Sequence, residues 1–216
     1  MLYLLIIGVM TSLLLAFSSQ KQVRFSFSGL SLFEEDDRDI KIAGMEKSKK
    51  SQEEETARLA EELTHQKNNG NVDKVRKLGA QAAQNIMVQD VSALCIGPTS
   101  GQILLQCRLL MSAAAQKAFA DHLPHKILYD VAAESLQQTL QKEYPVFYQQ
   151  LIKPGAMSFY MLCLRKGNNA PDQIGDVFAN LTGREGDVSA KRAGTDLYVH
   201  FYGNVIHAIE TSKLSK

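Results

Sequence analysis

The stretch of sequence that decides the fold is residues 103–120, ILLQCRLLMSAAAQKAFA. Apolar side chains fall on most faces of a helix formed by these residues. A helix that is apolar on nearly every side is buried within the protein. Gly97 and Pro98 break regular structure before it, and Thr99 or Ser100 can cap its start. We therefore expect residues 103–120 to form the central helix of a folded domain.

The residues after this stretch predict shorter helices, each with an apolar stripe and a recognisable boundary. Pro145 fits a first helical turn, Gly183 fits a helix end, and Asp187 and Thr195 can each act as an N-cap. The predicted segments are residues 126–144, 145–152, 156–165, 172–181, a short turn at 187–192 and a last helix at 195–211. The absence of Trp and the scarcity of Gly and Pro also suit helices. We predict an all-α, helical bundle-like domain at residues 90–216 with about five to seven helices.

Residues 21–89 predict a juxtamembrane segment followed by a charged, partly helical spacer. Residues 24–33, RFSFSGLSLF, fit either a short strand or a segment in a membrane interface. The acidic run at 34–39, EEDDRD, lacks the alternating spacing of a calcium loop, so it is interpreted as a solvated charge run. Residues 45–67 carry a thin apolar stripe, and residues 72–88 carry a fuller one.

A helical hairpin is predicted within this spacer. The sequence NNGN at residues 68–71 is a strong turn signal between the two helical segments. A partner-binding coiled coil is the alternative interpretation. Too few apolar residues recur at heptad spacing to sustain three heptads, which favours the hairpin.

The N-terminal residues 2–17, LYLLIIGVMTSLLLAF, contain no charge and no proline. Residues 1–20 come close to the roughly 20 apolar residues that span a bilayer. A transmembrane anchor, a cleaved signal peptide and a buried helix are the competing interpretations. A signal peptide normally has a basic segment before its apolar core, and here no Lys or Arg precedes the run, although Ala16 and Ser18 form a weak cleavage pair. The anchor is the favoured interpretation.

The expected orientation of this anchor follows from the basic residues beside it. Lys21 and Arg24 lie just after the span, and basic residues concentrate on the cytoplasmic side of a membrane. The three cysteines are odd in number and form no CxxC pair, which favours reduced thiols over a secreted disulfide framework. The sequence thus predicts a single-pass membrane protein whose C-terminal domain is cytoplasmic.

Four histidines are the candidate site residues. His122 and His125 stand three apart, with Asp121 and Asp130 nearby, but Pro124 lies between them and no HExxH pattern is present. His200 and His207 lie two turns apart on the terminal helix, which also carries the polar residues Tyr198 and Tyr202. A polar helix junction and packed histidines with satisfied partners are the favoured interpretations, so no catalytic, cofactor or metal residue is assigned.

The cysteines and one loop are the remaining candidates for chemistry. Cys107 and Cys163 fall inside apolar helices, where a thiol behaves as a small hydrophobe, and Cys95 lies before a Gly-Pro break. The loop at residues 183–187, GREGD, carries an arginine but matches neither nucleotide-binding glycine pattern. It is interpreted as a turn between helices. The sequon at Asn180 is accidental if the domain is cytoplasmic.

These features favour a membrane-tethered, non-catalytic interaction or adaptor module with a cytoplasmic helical domain. The expected partners are the membrane, through residues 2–17, and a protein. Nucleic acid is not expected, because the formal net charge is only +1 and basic residues are interleaved with acidic ones. No cofactor is assigned. The alternatives are an enzyme with a site assembled from dispersed His and Asp residues, and a secreted helical domain after signal cleavage, which an intact Met1 would exclude.

Overall fold

The computed structural model describes residues 49–94, 100–165 and 170–215, with side chains described from Glu54 onward. Within these ranges the chain forms eight α-helices and no β-strand, which confirms the all-α prediction. The helices are α1 (Lys49–Asn68), α2 (Asn71–Val88), α3 (Ser100–His122), α4 (Lys126–Glu143), α5 (Pro145–Leu151), α6 (Ser158–Arg165), α7 (Ala170–Leu181) and α8 (Val188–Thr211). The predicted anchor, the segment at 24–33 and the acidic run at 34–39 lie outside the described residues.

Helix α3 runs through the core, as its sequence predicts. Ala113, Ala114 and Ala115 are consecutive and all buried, so neighbouring helices cover α3 on several sides. It contacts α2, α4, α6, α7 and α8. Leu110 and Phe119 are fully buried, and each large apolar side chain removed from water contributes about 1.5–3 kcal/mol to folding.

Helices α2 and α4 form the most extensive helix pair, and Gly79 sets the distance between them. A Cβ atom added at Gly79 would meet the carbonyl oxygen of Ala132 and would lie 2.9 Å from the Cβ of Ser135. Only glycine therefore permits this close backbone contact. Val75 and Ile86 on α2 are fully buried. Residues 71–88, which the sequence pattern placed in the spacer, thus line the core.

Helices α7 and α8 pack closely for a similar reason. A Cβ atom at Gly194 would lie 2.6 Å from the Cβ of Phe178, and one at Gly175 would lie 2.5 Å from the carbonyl oxygen of Lys191. The predicted break between a turn at 187–192 and a separate last helix is wrong, because α8 is continuous. The hydroxyl of Thr195 donates to the carbonyl of Pro171, 3.0 Å away, and does not cap a new helix.

The C-terminal residues are attached to the turn between α1 and α2 by the buried side chain of Asn71. Its amide nitrogen donates to Gln66 Oε1 at 2.6 Å and to the carbonyl of Ser215 at 2.8 Å. Its amide oxygen accepts from the backbone N–H of Ser215 at 2.9 Å. A buried amide is costly unless it is hydrogen-bonded, and the contacts with Ser215 join residues that are 144 positions apart.

The described helices can be compared with the dimensions of a bilayer. None of them is both long enough and apolar enough to cross a membrane. Residues 2–17 are not among the described residues, so the anchor stays a prediction.

The contact at Gly79 predicts that Gly79→Ala destabilises the protein. We expect the free energy of unfolding to fall by about 1–3 kcal/mol, since the added methyl forces the backbones of α2 and α4 apart. The matched control is Gly203→Ala on α8, where an added Cβ meets nothing within 4 Å. Glycine lowers helix stability relative to alanine, so the control should gain about 0.5–1 kcal/mol. Chemical denaturation of both variants measures the difference, and equal effects would contradict the packing argument.

Candidate functional site

A polar cluster lies where the C-terminal end of α3 meets α8. We call it the Tyr202 cluster: Lys117, Asp121, His122, Tyr198 and Tyr202. The Tyr202 hydroxyl donates to Asp121 Oδ2 at 2.7 Å and lies 3.1 Å from His122 Nε2. Because the single hydroxyl proton points to Asp121, His122 Nε2 must carry the proton that it shares with Tyr202. Lys117 forms an ion pair with the other oxygen of Asp121.

Aromatic contacts and shifted pKa values describe the chemistry of this cluster. The rings of Tyr198 and Tyr202 are stacked with centroids 5.6 Å apart. Burial raises the pKa of Tyr202, and its hydrogen bond to the Asp121 carboxylate raises this pKa further. Burial and the charge of Asp121 raise the pKa of Tyr198 to about 12. Both tyrosines stay protonated near neutral pH. The Tyr202 hydroxyl therefore donates to Asp121 and joins α8 to α3, while Tyr198 contributes its stacked ring.

The other histidines have different surroundings. His125 is the N-cap residue of α4, where its side chain makes no capping hydrogen bond, and its Nδ1 lies 3.7 Å from Glu62 Oε1 on α1. His200 Nε2 lies 3.1 Å from the side-chain nitrogen of Asn204. His207 lies two turns after His200 on α8 and is exposed. The structure therefore brings His122 to α8 and His125 to α1, and it does not gather the four candidates at one point.

Metal-ligating side chains do not converge within the described ranges. These residues contain no group of three or more His, Cys, Asp or Glu side chains arranged to hold a metal ion. Asp121, the carboxylate of the Tyr202 cluster, is already engaged by Lys117 and Tyr202.

The buried thiols pack around Tyr160. Cys107 on α3 and Cys163 on α6 are both buried, and the Tyr160 hydroxyl donates to Gln106 Oε1 at 3.0 Å. Burial raises the pKa of Tyr160 far above its usual value, with smaller contributions from the two cysteines. This side chain is a neutral core residue. Cys95 lies outside the described residues.

The loop at residues 183–187 is a turn between helices, as predicted. Gly183 has a left-handed φ of 71° and its N–H donates to the carbonyl of Asn180, while the N–H of Arg184 donates to Ala179. These are the two bonds of a Schellman helix end. The Arg184 guanidinium donates to Asp187 at 2.7 Å, and Asp187 caps α8. Hydrogen bonds from Ser189 and Ala190, then from Arg184, hold the pKa of the Asp187 carboxyl well below its usual value.

A groove lies between α1 and the start of α4, and we call it the α1–α4 groove. Its apolar residues are Leu59 and Ile127, and its acidic residues are Glu54, Glu55, Glu61 and Glu62. Arg58 and Lys126 also line it, so four glutamates against two cations leave a formal charge of −2 with its histidines neutral. Leu59 is 50% exposed, although large apolar side chains are normally buried.

Comparison of the chain with protein-family models, with curated proteins and with solved structures found no match.

Parts of these sites were recognisable in the sequence, and others were not. His122, Tyr198 and Tyr202 stood out as polar residues, but the sequence did not place them together, because the contact joins residues 80 positions apart. The α1–α4 groove was missed entirely. Its glutamates looked like the solvated face of a spacer, and only the packing of α1 beside α4 gives them a common surface.

The geometry of the Tyr202 cluster predicts the effect of Tyr202→Phe. The variant loses the hydrogen bonds to Asp121 and His122 while keeping the ring, so we expect the protein to lose about 1–3 kcal/mol of stability at pH 7. The pKa of Tyr202 is higher in the folded state than in the unfolded state. The stability that the Tyr202 hydroxyl contributes is therefore complete below its unfolded-state pKa of about 10. This stability is lost as the pH rises through the folded-state pKa.

Chemical denaturation at pH 7 and at pH values above 10 measures this dependence. The difference between wild type and Tyr202→Phe should shrink at alkaline pH. Tyr148→Phe is the control, because the hydroxyl of this half-buried tyrosine has no hydrogen-bond partner within the described residues. A Tyr202 effect no larger than that of Tyr148 would contradict a stabilising role for these hydrogen bonds.

Proposed function

We propose that this protein is a membrane-tethered, non-catalytic interaction module that binds a protein partner in the α1–α4 groove. The observation that carries the proposal is the pairing of exposed apolar side chains with carboxylates in this groove. Leu59 lines the groove and is 50% exposed. Leu63 is not among the residues that line the groove, but it lies one turn further along α1 and is 43% exposed. Apolar surface framed by charge is typical of a protein-binding site.

The chemistry of the groove specifies the class of partner. Apolar residues at helical spacing accept the apolar face of an amphipathic helix. The formal charge of −2 favours basic residues on the rim of that helix, since complementary charge directs encounter and selects partners. The proposed partner is therefore a protein that presents a basic, amphipathic helix.

The tether is the second part of the proposal. The apolar run at 2–17 and the basic residues Lys21 and Arg24 support an anchor with the helical domain on the cytoplasmic side. A tether raises the effective concentration of the groove toward partners at the same membrane. The length of chain between residue 20 and α1 sets how far the groove reaches.

The tether is tested on the full-length chain expressed in cells. We expect it to stay in the membrane fraction after alkaline extraction, to retain an intact Met1 by mass spectrometry, and to lose membrane association when residues 1–20 are deleted. A mature N-terminus after Ala16 or Ser18 would contradict the anchor and support secretion instead.

The groove is tested by site-specific photo-crosslinking. A photo-crosslinking amino acid at Leu59 should capture one partner, whereas the same amino acid at Val199, which is 51% exposed on α8, should not. Glu54→Lys with Glu61→Lys should reduce capture at least tenfold. The matched control is Glu185→Lys with Glu210→Lys, which makes the same change of net charge outside the groove. Equal capture from Val199, or equal loss in both charge variants, would contradict a groove-specific partner.

A further inference from the structure

A second exposed apolar surface lies on α6, and it differs from the α1–α4 groove in charge. Residues 144–171 contain no Asp or Glu, and they include Lys153, Arg165 and Lys166. Phe159 and Leu162 in this region are 58% and 52% exposed. They stand three residues apart and therefore lie on the same face of α6.

The opposite face of α6 is buried, so this helix has two distinct sides. Tyr160, Met161, Cys163 and Leu164 all pack into the protein. The exposed Ile152 and the cation Lys153 lie in the turn that leads into α6, and Arg165 is exposed at its end. We call these five residues, Ile152, Lys153, Phe159, Leu162 and Arg165, the α6 surface.

Helix α7, on which α6 packs, carries two acidic residues. Asp172 stands in the first turn of α7, and Asp176 forms an ion pair with Lys191 of α8 at 3.0 Å. Asp176 is thus neutralised by a neighbour. The chain that forms the α6 surface itself contributes only apolar, neutral and basic side chains.

We propose that the α6 surface lies on the face of an anionic lipid bilayer. Phe and Leu on one side of a short helix insert at the boundary between headgroups and acyl chains, and basic residues beside them are attracted to anionic headgroups. Charge complementarity selects this occupant, since carboxylates at the surface would be repelled by anionic lipid and this surface has none. The proposal does not depend on a partner in the groove.

The proposed tether and the α6 surface reinforce one another. A chain anchored at its N-terminus stays at the bilayer, so weak contacts between the α6 surface and lipid suffice for docking. Docking of α6 would orient the domain and fix the direction in which the α1–α4 groove opens. The two surfaces lie on different helices, and the contacts of α1 are with α2 and α4.

The test uses tryptophan fluorescence, because the chain contains no Trp. Phe159→Trp places one probe on the α6 surface of the full-length chain. With vesicles of phosphatidylcholine containing about a third phosphatidylserine, we expect a blue-shifted emission and quenching by brominated acyl chains. Both effects should vanish with phosphatidylcholine alone, in about 1 M salt, where charges are screened within about 3 Å, and in the variant that also carries Lys153→Glu.

The matched control is Leu59→Trp, which replaces a side chain of similar exposure in acidic surroundings. Its emission should not change between the two lipid compositions. An equal response from both probes, or no response from Phe159→Trp, would overturn the proposal. A blue shift without vesicles that grows with protein concentration would also overturn it, since it would show self-association through α6.

This experiment separates the lipid surface from the tether. Flotation of the chain with vesicles of phosphatidylcholine alone reports the anchor, which needs no anionic lipid. The change at Phe159→Trp upon adding phosphatidylserine reports the α6 surface, whether or not the chain floats with neutral vesicles.

Discussion

The close approach of helix backbones at three glycines is the constraint on which the rest of this structure depends. Gly79 lets α2 reach α4, and Gly175 and Gly194 let α7 reach α8, at distances where any side chain would collide with its neighbour. Protein cores are packed as densely as organic crystals, so even one added methyl group is felt. Helices of both tight pairs contact α3 and help to bury its apolar residues. The core therefore requires these contacts as much as it requires apolar side chains.

Polar sites form where this packing brings distant residues together. The contact of α3 with α8 places Tyr202 against Asp121 and His122, and it turns three surface residues into a hydrogen-bonded cluster. The attachment of α1 to the α2–α4 pair creates the acidic groove. Asn71 joins the C-terminal residues to the same region through Ser215. Two exposed apolar side chains then define two surfaces with different expected partners. Leu59 lies in acidic surroundings, and Phe159 lies on a stretch of chain that contains basic residues and no acidic ones.

Much of the fold was predictable from local sequence signals. The all-round apolar character of residues 103–120 identified the central helix, and Gly183 and Asp187 marked the boundary between α7 and α8 through their backbone and capping chemistry. The role of Gly79 could not be predicted, because it depends on a close contact with the carbonyl of Ala132 on another helix. For the same reason the sequence pattern of residues 71–88 indicates a spacer: glycine and alanine weaken an apolar stripe, yet they permit the closest packing. Thr195 was predicted to be a cap because its partner, Pro171, is remote in sequence.

The measurement that tests the central claim most directly is native-state amide hydrogen exchange on the full-length chain. If the Gly79 contact makes α2 part of the core, the amides of Val75 and Ile86 exchange only through the same global opening that exposes Leu110 on α3. Their free energies of opening should then agree and should fall together as denaturant is added. If residues 71–88 instead exchange as rapidly as the exposed half of α1 while α3 stays protected, α2 is a spacer, and the central role of the Gly79 contact is contradicted.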